Sequence, residues 1–138
     1  MNYISNKLHG NQKNRISTEM YLKTIYLLRE KHDKDPRPVD VVNELNLSKG
    51  SVSEMLKKLN DEKYIHYESY GKILLTDKGI KKAKNVLRKY QTVKKFLLEV
   101  LKIEDSNLHN EACNLEHAFS DKSIAKLNVL MKIWEQRN

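Results

Sequence analysis

The sequence is poor in cysteine, proline and glycine, with one, two and four of these residues among 138. A single cysteine cannot form an internal disulfide, so Cys113 is a buried apolar residue, a reactive thiol or a metal ligand. No apolar run is long enough to cross a bilayer, and the N-terminal residues lack the apolar core of a signal peptide. The absence of both kinds of segment predicts a cytoplasmic protein. The length of 138 residues suffices for one domain, or for two small units sharing a core.

Acidic residues are scarce in the middle of the chain, and the net charge is +8. Residues 76–103 carry 9 Lys and Arg against 2 Asp and Glu, whereas residues 1–75 carry 13 against 10 and residues 104–138 carry 4 against 6. A basic middle and a mildly acidic end are typical of a chain with one surface facing a polyanion and another facing protein. Solvated lysine faces would give the same balance, so charge alone leaves nucleic-acid binding open.

Helical periodicity dominates the sequence and predicts a mostly α fold. Residues 1–17 have no sustained period and are interpreted as a flexible N-terminal arm. Thr18 is the expected N-cap of a strongly apolar helix that continues to about residue 31. The segment HDKDPRP follows, and its two prolines cannot continue a helix.

Residues 39–59 contain two short helical patterns joined by the polar turn NLSKG. The first pattern ends near Leu45, and the second begins with Ser48 as its N-cap. Two short helices joined by a tight turn form the helix-turn-helix pattern, whose second helix enters the major groove of DNA. Small, polar and basic side chains of the second helix are the predicted DNA contacts: Ser48, Lys49, Ser51, Ser53, Glu54 and Lys58.

A β-hairpin is predicted directly after this second helix. The segments YIHYES and KILLT have the alternation of strands, with Gly71 at the bend between them. A hairpin in this place is a wing, and Lys72 is expected to contact phosphates. The order of helices and hairpin favours a winged helix-turn-helix over an unrelated helical bundle.

The remaining residues, 76–138, predict one long helix and two shorter helices. Thr76 is the expected N-cap of the long helix, which has an apolar stripe on one side and lysines on the other. The segment KIEDS ends it. The two shorter helices are expected at about 107–118 and 120–136.

The single cysteine lies on the first of these shorter helices, in the segment NEACNLEHAF. Cys113, Glu116 and His117 are spaced so that a helix places them on one face. A thiolate, a carboxylate and an imidazole together suit a first-row transition ion. A core cysteine, a solvated glutamate and a helix-capping histidine would explain the same triplet. Nucleophilic catalysis is disfavoured because no glycine-rich or cleft-forming segment accompanies the Cys–His pair.

Four segments together, STEMYLKTIYLL, LSKGSVSEMLKKL, LLTDKG and NEACNLEHAFSD, resemble the diphtheria toxin repressor family. The resemblance covers roughly residues 17–136. It implies a winged helix-turn-helix DNA-binding domain at 18–75 and a helical metal-binding and dimerisation domain at 76–138. It also implies a non-enzymatic, homodimeric transcriptional repressor that binds double-stranded operator DNA when loaded with metal. The short form, without the SH3-like third domain of longer members, is expected.

The resemblance implies four metal-ligating side chains: Met20 from the first helix, with Cys113, Glu116 and His117 from the later helix. A backbone carbonyl near Cys113 is a further expected ligand. The thioether and the thiolate are soft donors that favour iron(II), Fe2+, over purely oxygen-seeking ions. Manganese(II), Mn2+, is the second choice, because the manganese branch carries carboxylates where this chain has Met20 and Cys113, and an acidic ligand in place of Lys23.

The ancillary metal site of the family is expected to be lost. Iron-type members build it from a His and a Glu on the long helix and a His before the metal-binding helix. The last of these is matched by His109, which is the candidate for a residual ancillary site. Tyr90 and Lys94 occupy the other two places, and a lysine repels a divalent cation. Lys94 is predicted to pair instead with a carboxylate such as Glu111.

Two rival functions remain open. One is a winged-helix regulator that senses oxidation of Cys113 or a small organic ligand. The other is a helical interaction module whose lysines are merely solvated. Metal binding separates the first rival from a metal-dependent repressor, and salt-dependent binding to duplex DNA separates both regulators from the interaction module.

Overall fold

The computed structural model describes the backbone of residues 6–68 and 71–138, and the side chains from residue 17 onward within those ranges. This part of the chain forms six α-helices, a short π-helical segment and one β-hairpin. In chain order the elements are α1 Asn6–His32, α2 Pro38–Leu45, α3 Lys49–Asp61, β1 Ile65–Tyr67, β2 Ile73–Leu75, α4 Asp77–Lys95, the π-helical segment Phe96–Val100, α5 Leu108–Ala118 and α6 Asp121–Arg137. They divide into two compact units, one ending at Lys84 and the other comprising Asn85–Asn138.

The first helix is longer than the periodicity predicts. Because α1 begins at Asn6, Thr18 is not its N-cap, and residues 6–17 of the predicted flexible arm are helical. Residues 1–5 of that arm lie outside the described residues. Lysine, glutamine and arginine are good helix formers, and no proline interrupts residues 6–17. The apolar period starts only where α1 meets the core, so it marks burial rather than the start of the helix.

The first unit has a single core to which α1, α2, α3 and the hairpin all contribute. Eight fully buried aliphatic side chains form its centre: Leu22, Ile25, Val41, Val52, Leu56, Leu59, Ile65 and Ile73. Burying one such side chain contributes on the order of 1.5–3 kcal/mol. The predicted helix-turn-helix, α2 and α3, therefore packs against both α1 and the hairpin.

The hairpin pairs its two strands antiparallel, with Ile65 opposite Leu75 and Tyr67 opposite Ile73. Ile65 and Ile73 enter the core, while the side chains of the middle pair are exposed. The backbone N–H of Gly71 donates to the carbonyl of Glu68 at 2.8 Å and closes the turn. Residues 69–70, which belong to the predicted bend, lie outside the described residues.

The start of α4 is joined tightly to the segment between α3 and β1. Thr76 Oγ1 accepts the backbone N–H of Gly79 at 3.1 Å, which confirms the predicted cap, and its hydroxyl donates to the carbonyl of Lys63 at 2.7 Å. A Cβ at Gly79 would lie 2.1 Å from the carbonyl oxygen of Tyr64. Only glycine allows this approach of helix to backbone.

The second unit packs the end of α4 and the π-helical segment against α5 and α6. Val93, Leu97, Ala112 and Ile124 are the buried centre of its core. α5 and α6 lie where the sequence predicts them, and Ser120 caps α6 by accepting the N–H of Ser123 at 3.1 Å. The π-helical segment was not predicted, because its wider turn leaves no mark in a pattern of apolar spacing.

Candidate DNA interface and metal centre

The N-terminal half of α3 presents a polar surface. Ser48 caps the helix as predicted, since its Oγ accepts the backbone N–H of Ser51 at 3.1 Å. Six of the predicted DNA contacts lie on this helix or at its cap: Ser48, Lys49, Ser51 and Glu54 are exposed, and Ser53 and Lys58 are partly buried. Hydroxyls and ammonium groups so arranged can donate to phosphates or base edges.

The wing adds one exposed cation beside the strands. Lys72 lies immediately before β2 and is exposed, as a phosphate contact requires. Among the described residues, the hairpin is held by the pairing of its two strands and by the hydrogen bond from Gly71 to Glu68.

A concave surface of about 590 Å³ lies between α2, α3 and β1. Its lining residues are Pro38, Val39, Val42, Lys49, Gly50, Ser53, Lys57 and Tyr67. Val39 is 51% exposed although it is apolar. Deoxyribose carbons and thymine methyl groups are apolar whereas phosphates are anionic, so an aliphatic wall flanked by two lysines suits duplex DNA. Val39 and Tyr67 were not among the predicted DNA contacts.

Glu116 and His117 lie side by side in the interior of the second unit. Their exposed fractions are 0% and 3%, and His117 Nε2 is 3.2 Å from Glu116 Oε1. Burying a carboxylate costs free energy unless a polar or charged group lies beside it, and the His117 imidazole is such a group for Glu116. An oxygen and a nitrogen donor held together away from bulk water are typical ligands of a transition ion.

Cys113 lies one turn earlier on α5 and is partly buried. Its Sγ is 3.6 Å from Nε2 of His109. The structure thus brings Glu116 close to His117, and Cys113 close to His109. Within the described ranges, no three His, Cys, Asp or Glu side chains are grouped closely enough to hold a metal ion. The donor chemistry nevertheless fits such an ion, because sulfur, oxygen and nitrogen donors follow one face of one helix.

Met20 lies on α1 in the first unit. It is 37% exposed, while its neighbours Glu19 and Tyr21 are buried. A methionine left accessible between two buried residues is free of the core, and its thioether remains available as a soft donor. Glu19 Oε1 lies 3.7 Å from Lys82 Nζ on α4, an ion pair inside the first unit that the sequence did not indicate.

The residues at the predicted ancillary positions interact with one another. Tyr90 Oη is 2.7 Å from His109 Nδ1, and the two rings meet edge to face with centroids 5.5 Å apart. Lys94 Nζ lies 5.7 Å from the centroid of the Tyr90 ring, within the range of a cation–π contact. The predicted pairing of Lys94 with Glu111 is wrong, because the described residues form no such ion pair. The Lys94 ammonium lies over the Tyr90 ring instead.

A buried lysine holds the far end of α5. Lys89 on α4 is 4% exposed, and its ammonium lies 3.0 Å from Asp121 Oδ1 and donates to the Phe119 carbonyl at 3.2 Å. Asn85 Nδ2 donates to the same Asp121 oxygen at 3.1 Å. The contact ties α4 to the C-cap of α5 and to the first turn of α6. Sequence reasoning placed every α4 lysine on the solvated side; the position of Lys89 between Val86 and Val93 in the apolar stripe was the missed signal.

Comparisons with known proteins match both halves of the chain. The model of the iron dependent repressor N-terminal DNA binding domain matches residues 16–73, and that of the iron dependent repressor metal binding and dimerisation domain matches residues 76–136. An uncharacterized HTH-type transcriptional regulator of Methanocaldococcus jannaschii is 37% identical over 121 residues, which are 88% of this chain and 97% of the relative. The chain belongs to the diphtheria toxin repressor family.

Two further relatives are the regulator MntR and the manganese regulator SloR. The HTH-type transcriptional regulator MntR of Bacillus subtilis is 29% identical over 120 residues, or 87% of this chain and 83% of the relative. The solved structure of the manganese regulator SloR superposes with a TM-score of 0.72 at 31% identity, covering 83% of this chain and 53% of that one. This chain therefore spans about half the length of that solved structure.

Membership of the family confirms the predicted fold class of a winged helix-turn-helix followed by a helical metal-binding and dimerisation domain. The family consists of metal-dependent transcriptional repressors rather than enzymes. Among the residues that the structure describes, no helix has both the length and the apolar character to span a membrane.

Proposed function

We propose that this protein is a metal-dependent transcriptional repressor that binds operator DNA as a homodimer when metal is bound. The observation that carries the proposal is the buried Glu116–His117 pair on α5, in the domain matched as metal-binding, of a chain that also carries an exposed recognition helix. Neither a plain DNA-binding module nor a helical interaction module needs a carboxylate and an imidazole in its interior.

The proposed ligands are Met20, Cys113, Glu116 and His117, joined by a backbone carbonyl near Cys113. When bound, the ion would supply a positive charge beside the Cys113 thiolate and the Glu116 carboxylate. Met20 belongs to the unit with the recognition helix, and the other ligands belong to the unit matched as the dimerisation domain. Shared coordination would therefore couple the two units and fix the spacing of the two recognition helices in the dimer.

The proposed DNA-contacting residues follow from exposure and chemistry. Ser48, Lys49 and Ser51 would meet phosphates or base edges at the start of α3, with Ser53, Glu54 and Lys58 further along, and Lys72 would meet phosphates from the wing. Glu54 is acidic, and a carboxylate accepts from the amino group of cytosine rather than contacting phosphate.

The test of this function is DNA binding with and without metal. Duplexes selected from a randomised pool in the presence of cobalt(II) would serve as the probe. Their binding by the full chain would then be measured by fluorescence anisotropy with the ion present and after its removal by a chelator. We expect binding to be lost on chelation and restored by added metal. Equal binding in both states would overturn the proposal.

Iron(II) is the proposed physiological ion, because Met20 and Cys113 provide two sulfur donors. Manganese(II) is the second candidate, and it is favoured by the names of the relatives, MntR and the manganese regulator SloR. Anaerobic competition titrations with both ions would separate the two candidates. We expect iron(II) to bind more tightly to the wild type, and the double variant M20D/C113E to shift the preference towards manganese(II).

A regulator that senses oxidation of Cys113 is the rival within the same fold, and the 3.6 Å contact with His109 favours it. Calorimetry with cobalt(II) on the wild type and on Cys113→Ala separates the two readings. A repressor using Cys113 as a ligand loses metal affinity in the variant. A redox sensor binds no metal at this position in either protein, and its DNA binding responds to peroxide instead.

A further inference from the structure

Three side chains of the second unit form a continuous contact chain that ends at the thiol. Tyr90 on α4 approaches His109 Nδ1 at 2.7 Å, and His109 Nε2 approaches Cys113 Sγ at 3.6 Å. The first distance is that of a short O–H···N hydrogen bond, and the second lies within reach of an N–H donor to sulfur. The edge-to-face contact of the Tyr90 and His109 rings fixes the plane of the imidazole.

A neutral imidazole has one donor and one acceptor nitrogen, so the two contacts of His109 determine each other. When the Tyr90 hydroxyl donates to Nδ1, that nitrogen is the acceptor and Nε2 carries the hydrogen. His109 then donates to the sulfur of Cys113. A metal-bound cysteine is a thiolate without a hydrogen, so it can only accept. Of the two neutral tautomers of His109, only the one with hydrogen on Nε2 donates to it.

We propose that His109 is a positioning residue for the Cys113 ligand, and that Tyr90 sets its tautomer. This rests on the proposed function, because it assigns Cys113 to the metal. The hydrogen bond orients the sulfur towards the face that Cys113 shares with Glu116 and His117. His109 serves the one metal centre through Cys113 rather than binding a second ion. Groups that orient a ligand typically change metal affinity by about 10- to 100-fold when removed.

The first measurement is the tautomer of His109 in the zinc-loaded full chain, read from long-range nitrogen–proton NMR correlations. We expect Nε2–H in the wild type and a mixture of both tautomers in Tyr90→Phe. The variant removes one hydroxyl and keeps the aromatic ring, so the packing of the second unit is retained. An Nδ1–H tautomer in the wild type, or a tautomer that does not change in the variant, would overturn the assignment.

The second measurement is cobalt(II) affinity together with the sulfur-to-cobalt charge-transfer band. We expect Tyr90→Phe to bind cobalt(II) about tenfold more weakly with a shifted band, at the low end of the usual range because His109 is exposed. Tyr64→Phe, which removes a hydroxyl in the first unit, is the matched control and should leave both unchanged. A purely structural role of Tyr90 would lower stability without moving the band.

The glutamine variant of His109 sharpens the test. In His109→Gln the side-chain amide keeps a donor near the position of Nε2 and has no tautomer to set. We therefore expect this variant to retain most of the affinity, and Tyr90→Phe to cost nothing further in that background. A Tyr90→Phe loss of equal size in both backgrounds would show that Tyr90 acts by another route and would overturn the inference.

The outcomes also distinguish the inference from the function on which it rests. A wild type that binds cobalt(II) without a charge-transfer band, or that binds no cobalt(II), removes Cys113 from the metal and overturns both. A wild type with the band, matched by a Tyr90→Phe variant of equal affinity and unchanged tautomer, overturns the inference alone and leaves the metal-dependent repressor standing.

Discussion

At Lys89 a positive charge lies in the interior of the second unit and is satisfied on two sides. The ammonium meets the Asp121 carboxylate and the Phe119 carbonyl, and these groups end α5 and begin α6. A charge inside a protein is tolerated only with such partners. The pair differs from surface ion pairs, which contribute little, because Lys89 itself is withdrawn from water.

Replacing Lys89 by methionine keeps the length of the side chain and removes the ammonium. We expect the free energy of unfolding to fall by about 1–3 kcal/mol, because the Phe119 carbonyl loses its donor and Asp121 loses its cation. Urea denaturation followed by circular dichroism measures the change. Lys84→Met, at an exposed position of the same helix, is the control and should change stability by less than about 0.5 kcal/mol. Equal effects of the two variants would contradict the role of Lys89.

Gly79 is a second position where one residue decides stability. Gly79→Ala would bring a Cβ to 2.1 Å from the Tyr64 carbonyl oxygen, so α4 would have to move away from the segment between α3 and β1. We expect a loss of about 1–3 kcal/mol, typical of overpacking a close contact. Gly50→Ala is the matched control, since a Cβ at Gly50 has no neighbour within 4 Å and the helix gains about 0.5–1 kcal/mol from alanine. Thermal unfolding should therefore shift in opposite directions for the two variants.

Among the elements, those set by local chemistry were predictable and those set by distant partners were not. The caps at Ser48 and Thr76 were predicted because a hydroxyl meets a backbone N–H three residues later. The burial of Lys89 was not, because its partners lie 30 residues or more along the chain. The start of α1 was missed for a different reason, since its first turns lack the apolar period that reveals a packed helix.

The candidate metal centre divides in the same way. The spacing of Cys113, Glu116 and His117 predicted that the three share a face of α5, because helical geometry is local. The contact of Cys113 with His109, four residues earlier on α5, is equally local and was overlooked. The contact of His109 with Tyr90 was not predictable, since it depends on how α5 packs against α4. The nomination of Met20 came from the family resemblance, because a methionine on an apolar helix is ordinarily a core residue.

The recognition helix α3 offers a test at the level of one element. Lys49→Ala removes an ammonium group at the start of the helix, where it would meet phosphate. We expect DNA affinity to fall for all sequences alike and the salt dependence of log K to become shallower by about two for a dimer, one for each subunit. Anisotropy titrations at several salt concentrations measure both. Lys122→Ala, an exposed lysine on α6, should change neither, and an unchanged slope in Lys49→Ala would remove this residue from the interface.

At the scale of the whole molecule, α6 carries an exposed apolar surface that the described residues of one chain do not bury. Val129, Leu130 and Ile133 are 57%, 54% and 42% exposed and lie within four residues of one another. Exposed aliphatic residues so concentrated mark an interaction surface. The family model that matches residues 76–136 is described as a dimerisation domain, so a second copy of this chain is the expected partner.

A carboxylate placed in that surface tests both the dimer interface and the need for a dimer in operator binding. We expect Leu130→Glu to convert the dimer to a monomer, because burying an unpaired charge in an apolar interface costs more than one exposed leucine contributes. Sedimentation velocity measures the change in mass, and circular dichroism should show an intact helical fold. Glu135→Gln also changes one charge at an exposed position of α6, and residue 135 is neither three nor four residues from any member of the apolar surface, so this control should remain dimeric. Since two recognition helices bind a palindromic operator only when they are linked, the monomer should also lose operator affinity with metal present. A Leu130→Glu protein that stays dimeric would move the two-fold interface to another surface of the second unit.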